Sequence, residues 1–115
     1  MSATCTVEKI SDTAIVVRVE GRLNAASAVS VKGAFKEQAQ KGARTILVDL
    51  SGLQFIDSSG LAALVSGYKL AREAGGILKL AGLGEQIRAV FAVTHLDRVF
   101  EIAPDIAALK AQIPG

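Results

Sequence analysis

The chain has 115 residues, half of them apolar, with 13 Lys and Arg against 11 Asp and Glu for a net charge of +2. That length predicts one domain over residues 1–115, able to bury about two-thirds of its unfolded surface without a disulfide or a metal. Charge this balanced, with no run of three basic residues and no Trp, argues against an electrostatic nucleic-acid binder or a base-stacking platform.

Residues 7–10 and 15–19 read as two strands joined by the turn chemistry of Ser11, Asp12 and Thr13. In the second, Ile15, Val17 and Val19 alternate with Val16, Arg18 and Glu20, and Gly21 is expected to end it. Asn24 or Ser27 then caps a helix running to about Lys41, with Val29, Phe35 and Ala39 on its apolar face and Gly42 after its end. Residues 45–50 are nearly all apolar, as in a central strand covered on both sides. A loop over 51–60 leads into a second helix carrying Leu61, Leu64, Val65, Tyr68 and Arg72, which Gly75 and Gly76 stop. A strand over 77–81 and the turn Gly82-Leu83-Gly84 precede a third helix with Ile87, Val90 and Phe91 that ends near His95. A short strand over 99–102 follows. Pro104, at a first helical position, then starts a last helix with Ile106, Ala108, Leu109 and Ile113 on its stripe. The order β-β-α-β-α-β-α-β-α predicts an α/β domain: a mixed, mostly parallel sheet with four helices.

Scarce residues narrow the chemistry. The lone Cys5 permits no intramolecular disulfide, which suits a reducing, cytoplasmic setting, and it reads as a small core or edge hydrophobe. One Cys and one His are too few for a structural zinc site, and no cofactor is expected. The first residues lack a basic stretch followed by an apolar run, so no signal peptide is expected, and no apolar stretch approaches the ~20 residues that span a bilayer. A serine hydrolase would have to be built from Ser58, His95 and either Asp49 or Asp57, without a Gly-x-Ser-x-Gly elbow, so the chain is not expected to be an enzyme. Gly82-Leu83-Gly84 lacks the third glycine of a dinucleotide loop, Ile87 standing in its place, and reads as a turn. Lys69, Arg72 and Glu73 read as a solvated face, and Arg88 and Arg98 as surface charge within reach of acidic partner groups.

The informative stretch is residues 47–64, at the carboxyl end of the expected central strand, where Asp57, Ser58 and Ser59 stand just before a helix and Gly60 follows in its first turn. Asp and Ser are favoured N-caps, yet three such residues in a row exceed what one helix needs. Gly60 costs about 1 kcal/mol of helix propensity there and leaves the hydroxyls open to an approaching partner.

Residues 46–61, Ile-Leu-Val-Asp-Leu-Ser-Gly-Leu-Gln-Phe-Ile-Asp-Ser-Ser-Gly-Leu, resemble the signature of the STAS domain in its anti-sigma-factor antagonist branch. The resemblance extends over essentially the whole chain, through Gly21-Arg22-Leu23, Gly75-Gly76 and residues 91–96. It implies a STAS-type domain whose serine after the aspartate, Ser58 here, is phosphorylated by an anti-sigma factor that is itself a serine kinase. Unphosphorylated antagonist binds that factor and frees a sigma factor; a PP2C-type phosphatase restores the unphosphorylated form. Asn24, Asp57, Ser59, Gly60 and Leu61 become the candidate partner-binding residues, with no direct nucleic-acid contact and no membrane insertion. The same resemblance admits an accessory or scaffold subunit of a larger complex, such as a lipid-trafficking ABC transporter, and leaves nucleotide binding open. Two positions depart from the pattern. Asn24 stands where many antagonists carry Asp, which keeps hydrogen bonding but removes a charge. Thr94-His95-Leu96 replaces Ser-Gly-Leu, so His95 is expected to take a left-handed helix-end conformation in place of glycine.

Overall fold

The computed structural model describes residues 2–113. Strand β1 (Thr4–Lys9) turns back antiparallel onto β2 (Ala14–Leu23), with Val7 opposite Val17. Parallel strands β3 (Thr45–Asp49), β5 (Ile77–Ala81) and β6 (Ile102–Ala103) follow across the sheet in the order β1-β2-β3-β5-β6. The sixth strand, β4 (Leu53–Ile56), pairs parallel with the far end of β2. Helices α1 (Ala25–Gln40), α2 (Ser58–Glu73), α3 (Glu85–Val93) and α4 (Ile106–Lys110) complete the expected mixed α/β domain.

Strand periodicity divides the core in two. Ile15, Val17, Val19, Ile46, Val48, Leu78 and Leu80 face Val31 and Phe35 of α1, Leu61 and Leu64 of α2, and Ile87 and Phe91 of α3. Val16, Leu47 and Ala81 point the other way and meet Leu109 of α4. Helices α1 and α2 approach closely where Gly67 faces Phe35: a Cβ on Gly67 would stand 2.5 Å from the ring's Cδ2.

Five local expectations change. Gly21 does not end β2. Its φ of +97°, which a side chain would strain, bends the strand away from β3, and residues Gly21 to Leu23 continue along β4. Strand β4 itself lies inside the expected loop, too short to announce itself beside the turn at Ser51 and Gly52. Val29 is 73% exposed: the buried line of α1 is Ala28, Val31 and Phe35, and six residues before Phe35 is about 120° round the helix. The strand expected over 99–102 is reduced to Ile102–Ala103, because a 3₁₀ turn (Leu96–Arg98) first carries the chain round to bury Phe100. Pro104 precedes the cap of α4 instead of starting the helix, since Asp105 is the N-cap and accepts the Ala108 N–H at 2.8 Å.

Candidate functional site

Two helix N-termini meet at the end of β2 and β4. Leu23 pairs with Ile56, and each strand is followed at once by a cap, Asn24 before α1 and Asp57 before α2. The Asp57 N–H donates to the Leu23 carbonyl at 3.2 Å, which ties the two caps together. Asn24 Oδ1 accepts the Ser27 N–H at 3.2 Å, and the Asn24 N–H donates back to Ser27 Oγ at 3.1 Å. Buried Ser27 also donates its hydroxyl to the Arg22 carbonyl at 3.0 Å. Both candidates for the first cap, Asn24 and Ser27, are therefore used, as the two halves of a capping box.

At the head of α2, Asp57 Oδ1 accepts the Gly60 N–H at 3.0 Å and its carbonyl accepts that of Leu61. Ser58 and Ser59 are the first two helical residues, whose N–H groups have no intrahelical acceptor. Ser58 is exposed and Ser59 half-buried. One residue of the three caps, and the hydroxyl beside it stays in water. Gly60 and Leu61 turn inward, so of the candidate partner-binding residues these two shape the site from beneath. A Cβ on Gly60 would stand 2.7 Å from the Leu23 carbonyl oxygen, so this glycine sets how closely α2 begins beside β2.

Sequence reasoning did not single out one neighbouring pair. The Arg22 guanidinium carbon lies 4.1 Å from the centre of the Phe55 ring, and the two residues are register partners. Each lies two residues before a cap, and that period-two spacing was the available signal.

The hydrolase constellation does not assemble. Asp49 is buried on the opposite face of the sheet, where it accepts the Ser51 N–H at 3.0 Å and lies 3.6 Å from Arg18. His95 follows α3 with φ +61°, the expected left-handed conformation. Asp57, the other candidate acid, accepts the Gly60 N–H, and no described side-chain hydrogen bond joins Ser58 or His95 to either aspartate. Among the described residues no three His, Cys, Asp or Glu side chains are grouped to hold a metal, and no described helix is long and apolar enough to cross a membrane. Gly82 turns with φ +76° and Gly84 caps α3 without a side-chain bond. Cys5 is half-buried against the core, which pushes its thiol pKa up and keeps it protonated near neutral pH.

The model of the STAS domain family matches residues 5–109. The anti-sigma-B factor antagonist of Listeria monocytogenes is 31% identical over 88 residues, covering 76% of this chain and 77% of that one. The crystal structure of an anti-sigma factor antagonist from Mycobacterium paratuberculosis superposes with a TM-score of 0.81 at 27% identity, covering 95% of this chain and 92% of that one. The Bacillus cell fate determinant SpoIIAA in its phosphorylated form shares the fold, with a TM-score of 0.74 at 20% identity over 94% of this chain and 98% of that one.

Proposed function

The chain belongs to the STAS domain family, and from that premise we propose that it is an anti-sigma-factor antagonist switched by phosphorylation at Ser58. In this reading the unphosphorylated protein binds an anti-sigma factor with serine kinase activity and so frees a sigma factor. The kinase then modifies Ser58, and a PP2C-type phosphatase reverses the mark. One observation carries the reading: Ser58 is exposed and stands immediately after a cap, Asp57, whose carboxylate is already engaged by the Gly60 N–H.

The physical argument follows from that position. A phosphate adds about −1.5 to −2 charge, enough to cancel the protein's net +2 roughly. It would sit at the first turn of α2, where unpartnered N–H groups and the helix dipole favour an anion. The domain is therefore expected to keep its fold while its binding surface gains negative charge beside Asp57. That is consistent with a phosphorylated relative, SpoIIAA, having this same fold. A partner surface chosen for a neutral hydroxyl meets an added dianion, and a 100-fold loss of affinity needs only about 2.7 kcal/mol. The chemistry of transfer belongs to the kinase; this chain offers an acceptor and a complementary surface.

The test is incubation with candidate anti-sigma kinases and ATP, read by intact mass. A gain of about 80 Da, the mass of a phosphoryl group, that is absent in Ser58→Ala is the expected result. The modified protein should keep its circular dichroism and lose the kinase. Stable binding without modification would instead make the chain a scaffold or accessory subunit, and a phosphorylated form that unfolds would sink the surface-switch mechanism.

A further inference from the structure

The outer seam between α1 and α2 holds a cleft of about 350 Å³, away from the helix N-termini. Lys32, Gly33 and Lys36 line it from α1, and Ser66, Lys69, Leu70 and Glu73 line it from α2. We propose that this cleft docks an acidic helical segment of a protein partner, with carboxylates one turn apart.

Charge is the first argument. The three lysines are exposed, and among the described residues none of them forms an ion pair, whereas Lys9, Lys41, Lys79 and Lys110 all do. Glu73 is the single acid in the lining. Three unpaired ammonium groups around one furrow make a local positive field that the modest net charge conceals. Shape is the second. Gly33 has no atom within 4 Å of where its Cβ would be, so the fold does not need a glycine there, yet its bare backbone opens the α1 wall. Ser66 is the small residue lining the cleft from α2, and half-buried Leu70 supplies apolar surface. Spacing is the third. Lys32 and Lys36 are four residues apart, about 6 Å along the axis, which matches carboxylates at i and i+4 on a second helix. Lysine presents a point charge on a flexible stem, which suits carboxylates that approach from a moving partner.

The cleft begins about 12 Å along α1 from Asn24, since Lys32 is eight residues on. It is therefore separate from the Ser58 surface, and the inference stands whether or not Ser58 is modified.

The experiment titrates isotope-labelled full-length protein with a synthetic 15-residue helical peptide of Glu, Ala and Leu with Glu at i and i+4. It is read by amide chemical shifts at low salt. Shifts confined to residues 30–37 and 65–74 are expected, weakened at least tenfold in Lys32→Ala/Lys36→Ala/Lys69→Ala. Arg88→Ala/Arg98→Ala, two exposed charges elsewhere, should bind the peptide as the unaltered protein does. The lysine variant should keep its melting temperature because its side chains are exposed. Shifts scattered over every basic region, no shifts, or undiminished binding by the lysine variant would overturn the proposal. Inorganic phosphate that moves the same resonances to the same extent would overturn it too, by making the cleft a small-anion site. Ser58→Asp should bind the peptide as the unaltered protein does, so failure of the phosphorylation reading leaves this result readable.

Discussion

The two faces of the sheet are covered in opposite ways. On one, two 16-residue helices and a nine-residue helix bury a continuous apolar core that contains Phe35, Leu64 and Phe91. On the other, the five-residue α4 places Leu109 over Val16, Leu47 and Ala81, and charged side chains finish the cover. There Arg18 lies 2.7 Å from Glu8 and 3.6 Å from Asp49, Lys110 of α4 lies 3.2 Å from Glu8, and Lys79 lies 2.8 Å from Glu101. The candidate site belongs to the first face. Its caps rest on close-packed helices with little slack, which is what a switch by surface charge, without refolding, requires. The second face is held by burial and ion pairs together, so acid and salt should act there first.

The contrast breaks most visibly at Phe35. This side chain is fully buried between α1 and α2, and a Cβ on Gly67 would stand 2.5 Å from its ring. Phe35→Ala should cost about 3–5 kcal/mol, lowering the urea midpoint of the whole domain. A loss below 1 kcal/mol would mean that the helices close over the gap and that the packed face is softer than its geometry implies.

A smaller effect is expected where packing meets the site. Gly60→Ala gains about 1 kcal/mol of helix propensity. It also drives a methyl to 2.7 Å from the Leu23 carbonyl and 2.8 Å from Ile56 Cγ1, and a main-chain oxygen yields poorly. Overpacking of this kind costs about 1–3 kcal/mol, so the net change should be destabilising, with the head of α2 displaced from β2. If Ser58 is the phosphoacceptor, its modification by the kinase should slow in this variant. A variant as stable as the parent and equally good a substrate would show that the close approach does not position the serine.

These two residues also show what the sequence made legible. Phe35 is readable as core from hydrophobicity, whereas Val29, expected on the same face because it outscores Ala28 in apolar character, is exposed. Burial follows the phase set by Val31 and Phe35, not the size of one side chain. Gly60 is readable as a small residue beside the serines, yet its reason is a carbonyl from β2, thirty-seven positions earlier. A cap among Asp57, Ser58 and Ser59 and the left-handed His95 were legible because capping and chirality act within a few residues. Strand β4, the bend at Gly21 and the meeting of Arg22 with Phe55 were not, since each depends on pairing between distant segments.

The smallest effect falls on the thin face and follows from Glu8. Arg18 first, then Lys110, hold its carboxyl below the ordinary value of 4.5, opposed in part by desolvation. A carboxylate whose pKa is depressed by folding adds stability above the unfolded value, and that stability is lost as pH falls through the folded value. The Glu8 contribution should therefore be intact above about pH 4.5, and its loss in more acid solution should loosen α4 before the packed face. Because Glu8 is a surface group, the change in global melting temperature should be small. The sharper measurement is hydrogen exchange of the amides from Ile106 to Lys110, compared between the parent and Glu8→Gln. At pH 7 the variant should exchange faster in α4 alone, and below the depressed value the two proteins should converge. High salt at pH 7 should move the parent toward the variant, since it screens the same pairs. If α4 exchanges identically in both proteins at every pH, then Leu109 on its small apolar strip is sufficient to hold the helix. The ion pairs would then be ornament on a face that burial alone keeps closed, and the two sides of the sheet would differ in area but not in kind.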